Sequence, residues 1–204
     1  VQCLDGKMDV VPILLNPNIL RLDLSHNRIK TVLPGFAFYH ELKALNISYN
    51  ELFLLGEANF ISQVNLEILV IKNNKISKLE GKAFDGLSSL REIDVSNNYI
   101  ENIHSNTFRY ITQLQKLDLS GNRIKSIDSK VFQNLSSLDL LNLCRNLIQD
   151  LSKDVFERLY NLKHLFVTIA NTACFRSLAF LVLPNCKRLE LLYLQAYFTF
   201  CFLE

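Results

Sequence analysis

One frame, L-x-x-L-x-L-x-x-N-x-L, returns six times along the chain at an almost constant interval, and few folds accept such a period. It opens at Ile19 with Leu22, Leu24, Asn27 and Ile29, and returns from Leu42, Leu66, Leu90, Leu114 and Leu138. The six asparagines are Asn27, Asn50, Asn74, Asn98, Asn122 and Asn146, spaced 23 residues once and 24 residues four times. Five residues after each stands an aliphatic: Val32, Leu55, Leu79, Ile103, Ile127 and Leu151. Ten residues after come Phe60, Phe84, Phe108, Phe132 and Phe156, while the shorter first copy offers Phe36 or Phe38.

Within each frame the fourth and sixth positions are apolar and the third, fifth and seventh mostly polar. That alternation is a strand with one buried face. A strand this short cannot bury its leucines alone, so the copies must stack into a parallel sheet over a continuous core. The asparagine turns the chain out of the strand, where its side chain can satisfy backbone groups of neighbouring coils. The later aliphatic and Phe fill the convex side, and the return segments are predicted as loops or short helical turns. The fold class is therefore an α/β solenoid, a curved horseshoe with a parallel concave sheet. It divides into residues 1–18 as a partial N-terminal cap, 19–167 as repeats (six full units and the strand of a seventh) and 168–204 as an irregular C-terminal segment.

Side chains at the outward positions form columns that are the candidate partner-binding surface. The third column reads Arg21, Ala44, Ile68, Glu92, Lys116, Leu140 and His164. The fifth reads Asp23, Asn46, Val70, Asp94, Asp118, Asn142 and Phe166, and the seventh Ser25, Ser48, Lys72, Ser96, Ser120, Cys144 and Thr168. Beside them, at the eighth position, stand His26, Tyr49, Asn73, Asn97 and Arg145. From this surface Arg21, Asp23, Tyr49, Ile68, Val70, Glu92, Asp94, Lys116, Asp118, Leu140, Asn142 and Arg145 are the candidate contacts. Asp94 and Asp118 should sit on adjacent strands about 4.8 Å apart. Their repulsion calls for a basic partner group or a cation, unless water and Lys116 screen it. Charge reversal at both is expected to weaken binding and leave the fold intact. Ile68, Val70 and Leu140 are apolar where the face should be wet, and offer anchors. Glu67 with Lys43 and Arg91, and Glu92 with Lys116, read as cross-strand charge pairs of small energetic weight. Seven strands make a strip about 29 Å by 17 Å, roughly 500 Å². That is below the roughly 800 Å² per partner of a standard interface, so a dimer or a longer repeat array is expected.

Catalysis finds no support. His26, His40, His104 and His164 lie in separate coils or return segments, and no H-x-x-x-H, C-x-x-C, phosphate loop or G-x-S-x-G appears. No cofactor or metal is expected. A net charge of +2 is too small to point to nucleic acid or an anionic membrane.

The 24-residue unit with its Phe resembles the extracellular "typical" leucine-rich repeats of Toll receptors, Slit, chaoptin-like adhesion proteins and the small leucine-rich proteoglycans. The resemblance covers about residues 1–167. Cys3-Leu4-Asp5-Gly6, followed by Val11-Pro12, resembles the end of the family's N-terminal cysteine cap. Further cysteines usual upstream are absent, which predicts a fragment, with any membrane attachment in parts of the chain not present. The resemblance implies a non-catalytic module that binds proteins, glycans or lipids. Sequons at Asn46-Ile47-Ser48 and Asn134-Leu135-Ser136 join it in favouring an extracellular, secreted or cell-surface setting. A glycan on Asn134 would be harmless, and one on Asn46 would obstruct the concave face. Cys144 reads as a free thiol, and the pairing of Cys3, Cys174, Cys186 and Cys201 stays open.

The tail departs from the pattern. Ala170 stands where Asn belongs and Thr172 where an aliphatic belongs. Leu178-x-x-Leu181-x-Leu183 with Cys186, and Leu189-x-x-Leu192-x-Leu194, both resemble strand frames, but they start 11 residues apart, too close for two coils. Leu162 to Leu189 is 27 residues, the length of one irregular coil. The apolar run Leu191–Leu203 is too short to span a bilayer; it either caps the core's open end or is sequence unrelated to the fold. The functional expectation is a protein-recognition module in adhesion, signalling or innate immunity. The alternatives are a structural matrix protein or an intracellular scaffold.

Overall fold

The computed structural model describes residues 1–169 and 191–196, apart from residues 5, 33, 58, 152 and 153. The readings placed on Ala170, Thr172, Cys174, Leu178, Leu181, Leu183, Cys186, Leu189, Cys201 and residues 197–203 lie outside the described residues.

In chain order the strands are β1 (Arg21–Asp23), β2 (Ala44–Asn46), β3 (Ile68–Val70), β4 (Lys78–Leu79), β5 (Glu92–Asp94), β6 (Asn102–Ile103), β7 (Lys116–Asp118), β8 (Ser126–Ile127), β9 (Leu140–Ile148), β10 (Asp150–Leu151), β11 (His164–Ile169) and β12 (Leu191–Ala196). Eight of them form one parallel sheet in the order β1-β2-β3-β5-β7-β9-β11-β12. Equivalent frame positions face one another, as in Ile68↔Glu92, Leu69↔Ile93 and Val70↔Asp94. The sheet is thus roughly 34 Å long, one strand more than the frame count implied. The added strand is β12, whose Leu191 stands opposite His164 and Leu194 opposite Val167, the register of a single 27-residue coil. Without an Asn turn, β11 runs on to Ile169, which meets Ile148 across an irregularity after Val167.

The convex side holds one 3-10 turn, Pro34–Phe38, and otherwise turns. It also carries two small parallel pairings that the sequence does not announce, β4 with β6 and β8 with β10. They sit at the aliphatic five residues after Asn, as in Leu79↔Ile103 and Ile127↔Leu151. The core fills with frame leucines and a Phe column: Phe84, Phe108 and Phe132 stack on their successors at 5.8, 6.3 and 6.4 Å. In the first copy Phe36 takes the core position, buried against Phe60 at 6.1 Å, and Phe38 is exposed.

Each frame asparagine is buried and binds two coils at once. Asn98 Nδ2 donates to the carbonyls of Val95 and Ser96 in its own coil and of Ile71 in the previous one, while its Oδ1 accepts the N–H of Ile76. Asn50, Asn74, Asn122 and Asn146 repeat this pattern. Asn27 does so with Cys3 and Met8 in place of a preceding coil. Residues 1–3 continue the sheet through a Gln2↔Asp23 bridge and the N–H of Cys3 on the Asp23 carbonyl. Cys3 and Met8 pack half-buried against the core.

Asn98→Ala would leave three buried carbonyls and one N–H short of a partner. At about 1–3 kcal/mol per orphaned group, partly recovered by relaxation, we expect a loss of about 3 kcal/mol. The adjoining coils should loosen first, because each repeat leans only on its neighbours. Urea unfolding with amide hydrogen exchange measures both; an unshifted midpoint would contradict the account.

Candidate functional site

The concave face is built on a second repeated contact. The Oδ1 atoms of Asp23, Asn46, Asp94, Asp118 and Asn142 accept the backbone N–H two residues on, at 2.9, 3.0, 3.0, 2.8 and 3.1 Å. These are Asx turns that end each strand. The hydroxyls of Ser48 and Ser96 add 2.6 Å bonds to Asn46 and Asp94. The turn carries the seventh column inward, correcting its predicted outward direction: Ser25, Ser48, Ser96 and Thr168 are buried, and Lys72, Ser120 and Cys144 half-buried. Cys3 and Cys144 are free thiols.

Asp94 and Asp118 are adjacent, as the register requires. Their charges are met within the chain. Each accepts its capping N–H, Asn142 Nδ2 donates to Asp118 Oδ2 at 3.0 Å, and Lys72 Nζ lies 4.0 Å from Asp94. Lys116, expected to screen them, instead faces Glu92 at 3.5 Å. The pair therefore holds turns together and creates no demand for an external cation. Charge reversal would remove two caps as well as two charges, so it does not isolate binding from folding.

Of the other charge pairs, Lys43–Glu67 forms at 3.6 Å, and no pair between Glu67 and Arg91 occurs among the described residues. These side chains are well exposed, so each pair contributes little. At the far end Asp139 meets Lys163 at 3.1 Å and His164 at 3.4 Å. Burial pushes the Asp139 carboxyl up, but the bonds from Lys163 and His164 outweigh it and hold it below the usual carboxylate range.

Before each Asn the chain enters the left-handed region, at His26, Tyr49, Asn73, Asn97, Gly121 and Arg145, with φ between 52° and 65°. Asn and Gly accept that conformation readily, whereas His, Tyr and Arg do so against steric resistance. Tyr49 and His26 stack at 4.4 Å and 9° on the rim, both exposed, and Arg145 is also exposed. Position eight thus presents large side chains where the turn itself asks for small ones.

The apolar candidates do not form one patch. Leu140 lies three strands from Ile68, beyond the charged pair Glu92 and Lys116. Ile68 and Val70 instead border a hollow of about 340 Å³ with Val1, Gln2, Arg21, Asp23, Ala44 and Asn46. Sequence alone did not show it, because a cavity depends on what neighbouring side chains leave empty. A second hollow of about 340 Å³ opens on the return side, among Glu57, Lys82, Asp85, His104, Arg109 and Tyr110. There Lys82 pairs with Glu57 at 3.5 Å and His104 Nδ1 accepts the N–H of Asn106 at 3.1 Å. No group of three or more potential metal ligands occurs among the described residues.

Both sequons are in view. Asn134 is half-buried in a return turn. Asn46-Ile47-Ser48 coincides with the capping pattern that also gives Asp23-Leu24-Ser25, Asp94-Val95-Ser96 and Asp118-Leu119-Ser120. The fold thus accounts for that N-x-S without a sugar.

Comparison with known proteins gives three findings. A family model described as "Leucine rich repeat" matches residues 64–124 and 112–168, just over half of the chain, and a second of the same description matches 15–32. No curated protein matches the sequence. Among solved structures, the crystal structure of a TLR13–ssRNA13 complex shares the fold at a TM-score of 0.78 and 23% identity, covering 94% of this chain and 26% of that one. This chain spans about a quarter of that neighbour's length, and at this identity the likeness concerns the fold.

The capping role separates from charge by substitution. Asp94→Asn with Asp118→Asn keeps both acceptors and should leave stability within about 0.5 kcal/mol. Asp94→Ala with Asp118→Ala loses both and should cost about 1 kcal/mol per site. Chemical denaturation of the two double variants checks this, and equal losses in both would make charge, not capping, the controlling factor.

Proposed function

This chain belongs to the leucine-rich-repeat family, and from that premise we propose that it is a non-catalytic recognition module which binds a protein partner on its concave sheet, in an extracellular or cell-surface setting. The observation that carries the reading is the concave face itself: a flat array of side chains held in register by ladders that spend none of the third column on folding. Arg21, Ile68, Glu92, Lys116 and Leu140 are free to vary without disturbing a turn. Tyr49 and Arg145, kept on the rim in a conformation that resists large residues, add to it, since strained exposed positions gather at functional sites. Asp23, Asp94, Asp118 and Asn142 contribute their outer oxygens while the inner ones cap.

The concave strip of roughly 34 Å by 17 Å is still below a standard interface, so the binding unit is a longer array or a dimer. The structural neighbour's complex contains single-stranded RNA. A polyanion would meet Asp23, Glu92, Asp94 and Asp118 on this face against Arg21, Lys72 and Lys116, a balance that favours a mixed-charge protein surface. An extracellular setting is supported by the family resemblance and by the sequon at Asn134, in a turn away from the sheet. Adhesion, signalling and innate immunity are the processes in which such modules act; a matrix role is the alternative.

A pull-down with the full-length protein, from culture medium and cell surfaces, supplies the partner. Lys116→Glu and Arg145→Glu should then each weaken binding about tenfold by biolayer interferometry, whereas the return-segment change Lys130→Glu should not. Equal affinity across all three would remove the concave face from the interaction. Peptide mass analysis of secreted material should show a glycan at Asn134; its absence would favour the intracellular alternative.

A further inference from the structure

The fifth column is broken once within the six full copies, at Val70. Asp23, Asn46, Asp94, Asp118 and Asn142 each cap the amide two residues on, but Val70 has no acceptor to offer, and the Lys72 N–H finds no protein partner among the described residues. Asn or Asp here would supply about 1 kcal/mol of stabilisation, as it does in the other copies. The break coincides with the concave hollow. Ala44 is the smallest residue in the third column and leaves its floor low, while Ile68, 38% exposed, and half-buried Val70 form an aliphatic wall. On the opposite rim the exposed Arg21 guanidinium has no carboxylate within ion-pair distance among the described residues, and Asp23 is turned to its capping bond. A fold that needed only its own stability would repeat the asparagine or aspartate cap in this coil and carry a full third column.

We propose that this hollow is the anchor socket of the concave face, taking one aliphatic or aromatic side chain of a protein segment whose neighbouring carboxylate pairs with Arg21. At about 340 Å³ it is at the small end of ligand sites, which run to roughly 1,000 Å³. Its aliphatic wall offers little to hold a sugar. A charge-assisted bond from a single guanidinium selects a carboxylate beside the apolar group. Anchors of this kind dominate binding energy while the surrounding contacts exclude water. The proposal rests on the concave-face reading above and makes its partner chemistry specific.

The test uses random 12-residue peptides displayed on phage and selected on the whole chain, followed by anisotropy titration of the winners. Selection should enrich an apolar residue adjacent to Asp or Glu. Val70→Asn, which restores the cap, should raise the melting temperature or leave it unchanged and yet weaken the enriched peptides at least tenfold. Ala44→Leu, which fills the floor, should do the same by a separate route. Arg21→Ala should weaken acid-bearing peptides several-fold and their amide counterparts not at all. Absence of that motif, or unchanged affinity in both Val70→Asn and Ala44→Leu, overturns the socket. Peptides insensitive to those variants but weakened by Lys116→Glu would overturn the socket and leave concave binding standing. Insensitivity to all of them would remove both.

Discussion

The buried asparagine side chain is the contact on which the rest of this molecule depends. Every coil turns out of its strand at the point where backbone carbonyls are cut off from water, and such groups must be paired. One amide per coil answers three carbonyls and one N–H, and it draws on two coils to do so. That fixes the spacing and register of successive coils, and the leucines and phenylalanines then have one way to pack. Hydrophobic burial supplies most of the stabilisation, but it is the asparagine ladder that makes the burial repeat.

A second ladder, the Asx caps on the concave side, shapes what is left for recognition. It takes one oxygen from each fifth-position carboxylate or amide and folds the seventh position inward. The surface available to a partner is therefore narrower than strand alternation suggests. It consists of the third column, the outer edge of the fifth, and the rim residues of the eighth. Val70 shows how such a scaffold is adapted: giving up one cap is tolerable when neighbouring coils still hold, and it opens apolar space in a wet face. Natural proteins trade stability for function in this manner.

The fold was legible because its determinants are local and repeated. A residue such as Leu117 or Asn122 announces its role by period alone, since the same backbone environment recurs in every coil. The site was legible only in outline. The adjacency of Asp94 and Asp118 followed from register, and so did the pairing of Glu92 with Lys116. The direction of their second oxygens did not, because that depends on which donor is nearest: Lys72 and Asn142 answered the aspartates, while Lys116 turned to Glu92. Likewise the choice between Phe36 and Phe38 needed the geometry of the short first return, and the 27-residue last coil needed the pairing of β12.

By itself the sequence determined that this chain winds into stacked coils with a parallel sheet, where the coils turn, and which columns lie on either face. Period and polarity are enough for that, because each strand can bury its apolar side only against an identical neighbour. Only the tertiary structure decided which outward residues are consumed by capping, that Ile68 and Val70 join Ala44 and Arg21 around a hollow, and that Leu140 stands apart. Cavities and side-chain partners arise from the sizes and donors of residues on adjacent coils taken together, and no single repeat contains that information.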